Sequence, residues 1–176
     1  MIIESFFLEE IVKSSDYQNI KIGHHSRVYL SKIMTKYSTQ EGCDKLNKTI
    51  ANLYIESIME DKKTVRFQKY KEIGDTALAK VGLFPESISK VLSKGYFYDM
   101  GSVAYEECYR LRGTKIFLEI SNNIEDFSEV IFGAKNCSIT NNILELYELW
   151  RRTKSSFARK RLFSLGVIVS EKEVLE

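Results

Sequence analysis

Apolar residues recur every three or four positions along most of the chain, which is the spacing of an amphipathic α-helix. The most regular example is one side of a predicted helix after Lys94, formed by Phe97, Met100, Gly101, Ala104, Tyr105, Cys108 and Leu111. One proline and nine glycines in 176 residues leave little material for the turns between many short strands. The pattern therefore predicts an all-α fold, a single-domain bundle of about eight helices over residues 1–176.

The same spacing places the individual helices. We predict them at 2–13, 24–36, after Gly42 for roughly five turns, from Phe67 to Val81, after Lys94, at 115–134, at 139–151, and around Phe157–Leu162. Residues 14–23 are polar and are predicted to form a connector. The tail 167–176 is predicted to be extended, and its Val167–Val169 portion is expected to dock on the core.

Small residues punctuate the segment from Arg66 to Tyr105. Two matching Gly-x-x-Ala steps, Gly74–Ala77 and Gly101–Ala104, predict that two helices cross closely with these residues at the contact. Gly82 follows the last apolar position of its helix and suits a left-handed C-terminal cap. Pro85 suits the first residue of a new turn, in which the helix dipole favours Glu86.

This segment carries a resemblance to a known family. Its order of residues is R-x(7)-GD-x-AL-x(3)-G-x-FPE, followed by Y-x-Y-x(2)-G-x(2)-AY, and a later segment reads NNILELYELWRRTKSSFARKRLFSLGV. Together these segments, a little over half the chain, resemble an uncharacterised family of helical bacterial proteins that has no established activity. The resemblance implies one all-α domain and carries no catalytic roles. Residues 1–45, with the N-terminal helices, lie outside the matching segments.

Polar and aromatic residues in these segments are candidates for a ligand site. Asp75 follows a glycine inside a helix, and Lys71 lies one turn before it as a natural ion-pair partner. This carboxylate either orients the helix crossing or contacts a ligand. Aromatic rings with a few polar groups line many ligand pockets, although a core edged by tyrosine hydroxyls is the alternative. The candidate ligand-binding residues are Arg66, Asp75, Tyr96, Tyr98, Tyr105, Tyr147 and Trp150.

No metal site or cofactor is predicted. His24 and His25 are adjacent, and neighbouring helical side chains point about 100° apart, so they are poorly placed to bind one metal ion. We interpret them as the surface start of a helix. A heme-oxygenase-like fold is a weaker alternative, because the second half of its glycine-rich motif is replaced by Thr76-Ala77-Leu78.

The densest basic run, residues 151–161, is the only sequence feature that suggests nucleic-acid binding. Its cations are Arg151, Arg152, Lys154, Arg159, Lys160 and Arg161. Such clusters contact phosphate backbones, but the formal net charge is only +2 and no nucleic-acid motif accompanies the run. Cations at a solvated helix end are the structural alternative.

Cysteine spacing and the character of the N-terminal segment indicate the cellular compartment. Cys43, Cys108 and Cys137 are widely spaced and lack a CxxC pair, which favours free thiols in a reducing compartment. The N-terminal segment carries three glutamates and lacks a basic start, unlike a signal peptide. We therefore expect a cytoplasmic protein without a membrane partner.

The sequence predicts binding more readily than catalysis. It contains no nucleophile elbow, P-loop or dinucleotide fingerprint. The leading hypothesis is a non-enzymatic binding or regulatory domain for a protein partner or a small ligand, with self-association left open. The alternatives are an enzyme of undefined chemistry on an aromatic-lined pocket, and nucleic-acid binding through the basic run.

Overall fold

Ten α-helices and one 3-10 turn make up the regular structure of the computed structural model, which describes residues 2–46, 50–88, 92–137 and 142–170. No strand occurs within those ranges. The helices are α1 (Ile2–Gln18), α2 (His24–Tyr37), α3 (Gln40–Lys45), α4 (Ile50–Ile58), α5 (Lys63–Leu83), α6 (Lys94–Arg112), α7 (Lys115–Asn122), α8 (Ile124–Lys135), α9 (Ile143–Thr153) and α10 (Ser156–Ser164), and the 3-10 turn is Pro85–Ser87. The predicted all-α single domain is confirmed.

Helix α5 lies at the centre of the bundle. Every residue from Ile73 to Ala79 is buried, so this part of the helix is covered on all sides. Helices α2, α4, α6 and α8 all pack against it. Their buried apolar side chains form one main cluster, and α9, α10 and part of α8 form a smaller second cluster. A polar side chain in the middle of α5 therefore needs a partner from a neighbouring helix.

Glycines at the contact of α5 with α6 confirm the predicted close crossing. A Cβ atom added at Gly74 would lie 2.8 Å from the ring of Tyr105 on α6. One added at Gly101 would lie 2.5 Å from Ile124 Cδ1 and 3.1 Å from Ala77 Cβ on α5. All three distances are shorter than a packed carbon contact allows, so the absence of a side chain at Gly74 and Gly101 sets how closely these helices approach.

The prediction that Gly82 caps its helix is wrong. Gly82 lies inside α5, which continues to Leu83. A Cβ atom at Gly82 would lie 2.8 Å from Ile131 Cγ2 on α8, so this glycine also serves close packing. A glycine in the left-handed conformation does end α6, where Gly113 has a φ of 69°. Pro85 begins the 3-10 turn as predicted, and Glu86 is exposed there.

The predicted connector at residues 14–23 is also wrong over its first half. Helix α1 extends to Gln18, and its residues Ser14, Ser15 and Gln18 are buried, whereas Asp16 is exposed. The Ser14 hydroxyl donates a hydrogen bond to the Val130 carbonyl at 2.8 Å, and Gln18 Nε2 donates to the Glu129 carbonyl at 3.0 Å. The polarity of Ser14 and Gln18 therefore reflects a hydrogen-bonded helix interface with α8.

Two predicted helices are each divided in the structure, which is why ten are found rather than about eight. The 115–134 helix is broken at Asn123, whose φ of −132° is not helical, into α7 and α8. The helix after Gly42 becomes α3 and α4, and residues 47–49 between them lie outside the described ranges. Ile139, in the predicted helix 139–151, also lies outside them, and the described helix α9 begins at Ile143.

The C-terminal part of the chain packs as the sequence predicts where it is described. Val169 is buried in the second cluster and Val167 packs against it, whereas Ile168 between them is 82% exposed, so the predicted docking holds for Val167 and Val169 only. Residues 171–176 of the tail lie outside the described ranges. Within the described residues, none of the helices is both long and apolar enough to cross a membrane.

Candidate functional site

Asp75 is the most deeply buried acidic residue of the described core, with only 2% of its surface exposed. Its Oδ2 atom accepts a hydrogen bond from the ammonium of Lys71 at 2.7 Å, and Lys36 Nζ lies 3.6 Å from the same atom. Its Oδ1 atom accepts hydrogen bonds from the hydroxyls of Tyr29 at 2.5 Å and Tyr105 at 3.0 Å. The buried charge is thus both paired and hydrogen-bonded, as burial in a protein interior requires.

Three helices build this Asp75 network. Asp75 and Lys71 are one turn apart on α5, and Tyr29 and Lys36 are two turns apart on one side of α2. Tyr105 comes from α6, where its ring lies over Gly74. The glycine therefore has two effects. It allows α5 and α6 to approach, and it leaves space for the aromatic ring that reaches the carboxylate.

Burial keeps the hydroxyl and thiol groups around Asp75 protonated. Loss of solvent, followed by the charge of Asp75, raises the pKa of Tyr29 well above its ordinary value. The pKa of Tyr105 is raised well above its ordinary value for the same first reason. Burial likewise raises the pKa of the nearby Cys108 thiol to about 12. At neutral pH these groups are therefore hydrogen-bond donors and not bases or nucleophiles.

An open cleft of about 660 Å³ lies between α2 and the start of α7, on the outer side of Tyr29. Its walls combine apolar, cationic and hydroxyl side chains. They are His24, His25, Val28, Tyr29, Lys32, Thr114, Lys115, Ile116 and Glu119. Tyr29 is the residue that belongs to both features, because its hydroxyl binds Asp75 while the residue lines the cleft. We call this feature the α2–α7 cleft.

Glu119 is already engaged at the start of α2. Its Oε1 atom accepts a hydrogen bond from the Gly23 backbone N–H at 3.0 Å, and its Oε2 atom accepts one from the Ser26 hydroxyl at 2.6 Å. A carboxylate at this position is favoured by the unpaired N–H groups and the dipole of a helix N-terminus. Glu119 therefore ties α7 to α2 and fixes one wall of the cleft.

The two histidines stand at the start of α2, as predicted. Both are exposed, and their rings meet edge to face with centroids 5.9 Å apart. In the part of the chain that the structure describes, no group of three or more His, Cys, Asp or Glu residues is placed to hold a metal ion.

Of the seven predicted ligand-binding residues, Asp75 and Tyr105 are the two that belong to the Asp75 network. Arg66 lies apart from them. Its guanidinium is 5.9 Å from the ring of Tyr70, and its Nε atom is buried without a hydrogen-bond partner. Tyr98 bonds to the Ser128 hydroxyl at 3.2 Å. Burial raises the pKa of Tyr98 to about 12.

The other three predicted aromatic residues pack within the clusters. Tyr96 is half-buried and meets Phe97 edge to face. Tyr147 and Trp150 contact each other in the second cluster, where Trp150 is buried and Tyr147 half-buried. The seven residues therefore do not share one pocket, and for most of the aromatic members a place in or beside the core is the better interpretation.

Half of the basic run at residues 151–161 contacts the bundle itself. Lys160 donates a hydrogen bond to the Gln18 carbonyl at the end of α1, at 3.1 Å, and the Arg161 guanidinium lies 5.1 Å from the ring of Tyr17. Lys154 lies over the tryptophan ring of α9. Lys154 and Lys160 are nevertheless exposed, as are Arg151, Arg152 and Arg159. Arg151 pairs with Glu148 on its own helix at 3.0 Å. Nucleic-acid binding by this run stays a prediction.

The sequence pattern did not predict the two residues that α2 contributes to the Asp75 network. Tyr29 and Lys36 are seven residues apart, a spacing that returns to the same face of a helix after two turns. That spacing was the available signal, but it does not say which face of another helix the pair meets.

Comparison with known proteins adds no assignment, because no protein-family model, curated protein or solved structure matches the chain. The family resemblance of the segment from Arg66 to Tyr105 therefore stays a prediction, and any function has to be inferred from the geometry alone.

Proposed function

We propose that this protein is a helical ligand-binding domain, and that the α2–α7 cleft is its site for a small molecule. The observation that carries the proposal is the double role of Tyr29, which lines the cleft and donates a hydrogen bond to the buried Asp75. Ligand sites are usually concave and combine apolar surface with a few fixed polar groups. The cleft combines Val28, Tyr29 and Ile116 with basic and hydroxyl side chains, and its Tyr29 hydroxyl is fixed by Asp75.

Preorganisation is the main physical support. The Tyr29 ring meets the rings of Phe117 and Tyr105 edge to face, with centroids 5.8 Å and 6.2 Å away, and its hydroxyl is held by Asp75. A wall fixed in this way loses little conformational entropy when a ligand binds, which leaves more of the contact energy for affinity. The volume of about 660 Å³ lies within the range of small-molecule sites.

The pKa directions favour binding over catalysis at this site. A general acid or base works best when its pKa lies near the working pH. The pKa of Tyr29 is shifted upward, away from neutrality, so its hydroxyl serves as a fixed donor and not as a proton-transfer group. An enzyme using this cleft would need its reactive group from the bound molecule or from another wall.

A fragment screen read by two-dimensional amide NMR tests the proposal. We expect aromatic fragments to shift the amide signals of residues at the cleft, such as Val28, Tyr29 and Ile116. Tyr29→Phe keeps the ring but loses the bond to Asp75, and we expect it to weaken the best fragment by about 3- to 10-fold. Tyr17→Phe is the matched control, since that hydroxyl bonds to Ser164 outside the cleft.

Either of two results would contradict the proposal. The first is that bound fragments shift amides elsewhere in the bundle and leave the cleft signals unchanged. The second is that Tyr29→Phe and Tyr17→Phe have equal effects on affinity, which would show that the fixed orientation of the Tyr29 ring is irrelevant to binding.

A further inference from the structure

Resting on the proposed function, we further propose that the α2–α7 cleft selects an anion, a carboxylate or a phosphate monoester, carried on an apolar body. Four of the nine residues at the cleft have side chains that can carry positive charge, and they are His24, His25, Lys32 and Lys115. Only one, Glu119, can carry negative charge. With histidine left out of both counts, the cleft has Lys32 and Lys115 against Glu119, in a chain with 26 Lys and Arg against 24 Asp and Glu.

The single acidic residue does not cancel these cations. Glu119 is turned toward the start of α2, where both of its oxygens accept hydrogen bonds, from the Gly23 backbone and the Ser26 hydroxyl. Lys32 and Lys115 are exposed, and within the described part of the chain neither forms an ion pair. An incoming anion could therefore pair with these two ammonium groups without first breaking an ion pair within the protein.

The backbone at the start of α7 adds a second positive element. This helix has eight residues, starts at Lys115, has no acidic residue in its first turn, and receives no side-chain hydrogen bond from Thr114 at its cap position. The Phe117 N–H bonds to the Thr114 carbonyl at 3.1 Å, so the N–H groups that the helix itself leaves without a partner are those of Lys115 and Ile116, where the dipole favours negative charge. In contrast, the start of α2 on the other wall is already occupied by Glu119.

The remaining walls indicate what the anion is attached to. Val28, Tyr29 and Ile116 line the cleft beside the cations, and the Tyr29 hydroxyl is held by its hydrogen bond to Asp75. A free inorganic anion would leave that surface exposed to water. The chemistry of the cleft therefore fits an aromatic or aliphatic acid better than a bare ion.

Four small molecules distinguish the contribution of the ligand's negative charge from that of its apolar body. Amide NMR titrations with phenyl phosphate, benzoate, benzyl alcohol and inorganic phosphate would measure each dissociation constant at low salt and again at higher salt. We expect phenyl phosphate or benzoate to bind about 10-fold more tightly than benzyl alcohol, a difference of about 1.4 kcal/mol. This difference in affinity between the acids and benzyl alcohol should become smaller at higher salt, because exposed charges are screened over about 10 Å at 0.1 M ionic strength.

Variants that remove one positive charge show which lysines cause the preference for an anionic ligand. Lys32→Gln and Lys115→Gln should each weaken the preferred acid by about 3- to 10-fold and leave benzyl alcohol unchanged. Lys63→Gln is the matched control, because Lys63 is an exposed lysine at the start of α5 that does not line the cleft. It should change none of the four constants.

The outcomes distinguish this inference from the proposed function. Equal binding of benzyl alcohol and the acids at the cleft would overturn the anion preference and leave the cleft as a ligand site. Inorganic phosphate as tight as phenyl phosphate would overturn the role of the apolar wall. If none of the probes shifts cleft amides, while fragments do so in the broader screen, only the anion inference fails. If no fragment does so either, both fail.

Discussion

Replacing Asp75 with alanine removes the acceptor shared by the Tyr29 and Tyr105 hydroxyls and the partner of the Lys71 ammonium. The change is a demanding test of the Asp75 network, because three helices meet at this one side chain. If the network stabilises the bundle, its loss should lower the free energy of unfolding by more than the loss of an ordinary surface ion pair.

The expected magnitude follows from the exposure of each partner. Tyr105 is fully buried, so its hydroxyl is left without water, at a cost of about 1–3 kcal/mol. Tyr29 loses a similar hydrogen bond, but the residue borders the cleft, so the free-energy cost of that loss is smaller. The side chains of Lys71 and Lys36 are 31% and 38% exposed and regain water, so each contributes about 1 kcal/mol or less. We expect a total of roughly 3–5 kcal/mol, the range for breaking a buried pair.

Denaturant unfolding measures this change. Far-UV circular dichroism reports all helices, and fluorescence of Trp150, the only tryptophan, reports the second cluster. Coincident curves from the two probes would support a two-state transition. Asp75→Asn, which keeps an oxygen for the tyrosines, should cost less than Asp75→Ala. Arg110→Met breaks the exposed Arg110–Glu106 pair and should cost about 1 kcal/mol or less. The reasoning is refuted if Asp75→Ala costs no more than Arg110→Met.

Three other predictions concern stability at separate places. Gly101→Ala should cost about 1–3 kcal/mol in chemical denaturation because its methyl group collides with α8 and α5. A methyl group at Gly95 in the same helix would meet only the Ser93 Oγ atom, at an ordinary contact distance of 3.5 Å, so Gly95→Ala should be neutral or stabilising by up to about 1 kcal/mol. Burial raises the pKa of Tyr98 to about 12, so the stability tied to its neutral form is complete below about pH 10 and lost as the pH rises toward 12. Tyr98→Phe should therefore show a smaller alkaline decrease than the parent, and an equal decrease would contradict this. Lys160→Met removes the hydrogen bond to the Gln18 carbonyl at the end of α1 and should lower the free energy of unfolding, measured by thermal unfolding, by about 1 kcal/mol. The neighbouring Arg159→Met should lower it by less than about 0.5 kcal/mol.

The parts of the fold that were predicted correctly are governed by local rules. The apolar stripe of α6 fixes both its existence and its buried face, and Gly113 adopts the left-handed conformation in which glycine ends a helix. Gly82 shows where such rules fail. A glycine after an apolar position can be a cap or a packing contact, and only the presence of Ile131 on α8 decides between them. The break at Asn123 was missed because the apolar spacing continues across it.

The candidate site was predicted only in part, for a similar reason. Asp75 and Tyr105 stand out because each lies beside a glycine step that marks a close helix crossing. Tyr29 and Lys36 come from α2, and their pairing with Asp75 joins residues far apart in the chain. A one-dimensional pattern shows that a helix has a polar or aromatic face but does not show which neighbour that face meets.

Tyr29 links the stability of the bundle to the properties of the cleft. Its hydroxyl is part of the Asp75 network inside the bundle, while the residue forms part of the cleft wall outside. A ligand that contacts the ring therefore acts on a group already held by α5 and α6, and its binding energy adds to native-state stability by mass action. Conversely, a change at Asp75 that never touches the ligand would loosen the wall that the ligand uses. In this bundle the buried carboxylate is best understood as the support of the cleft and not as a separate site.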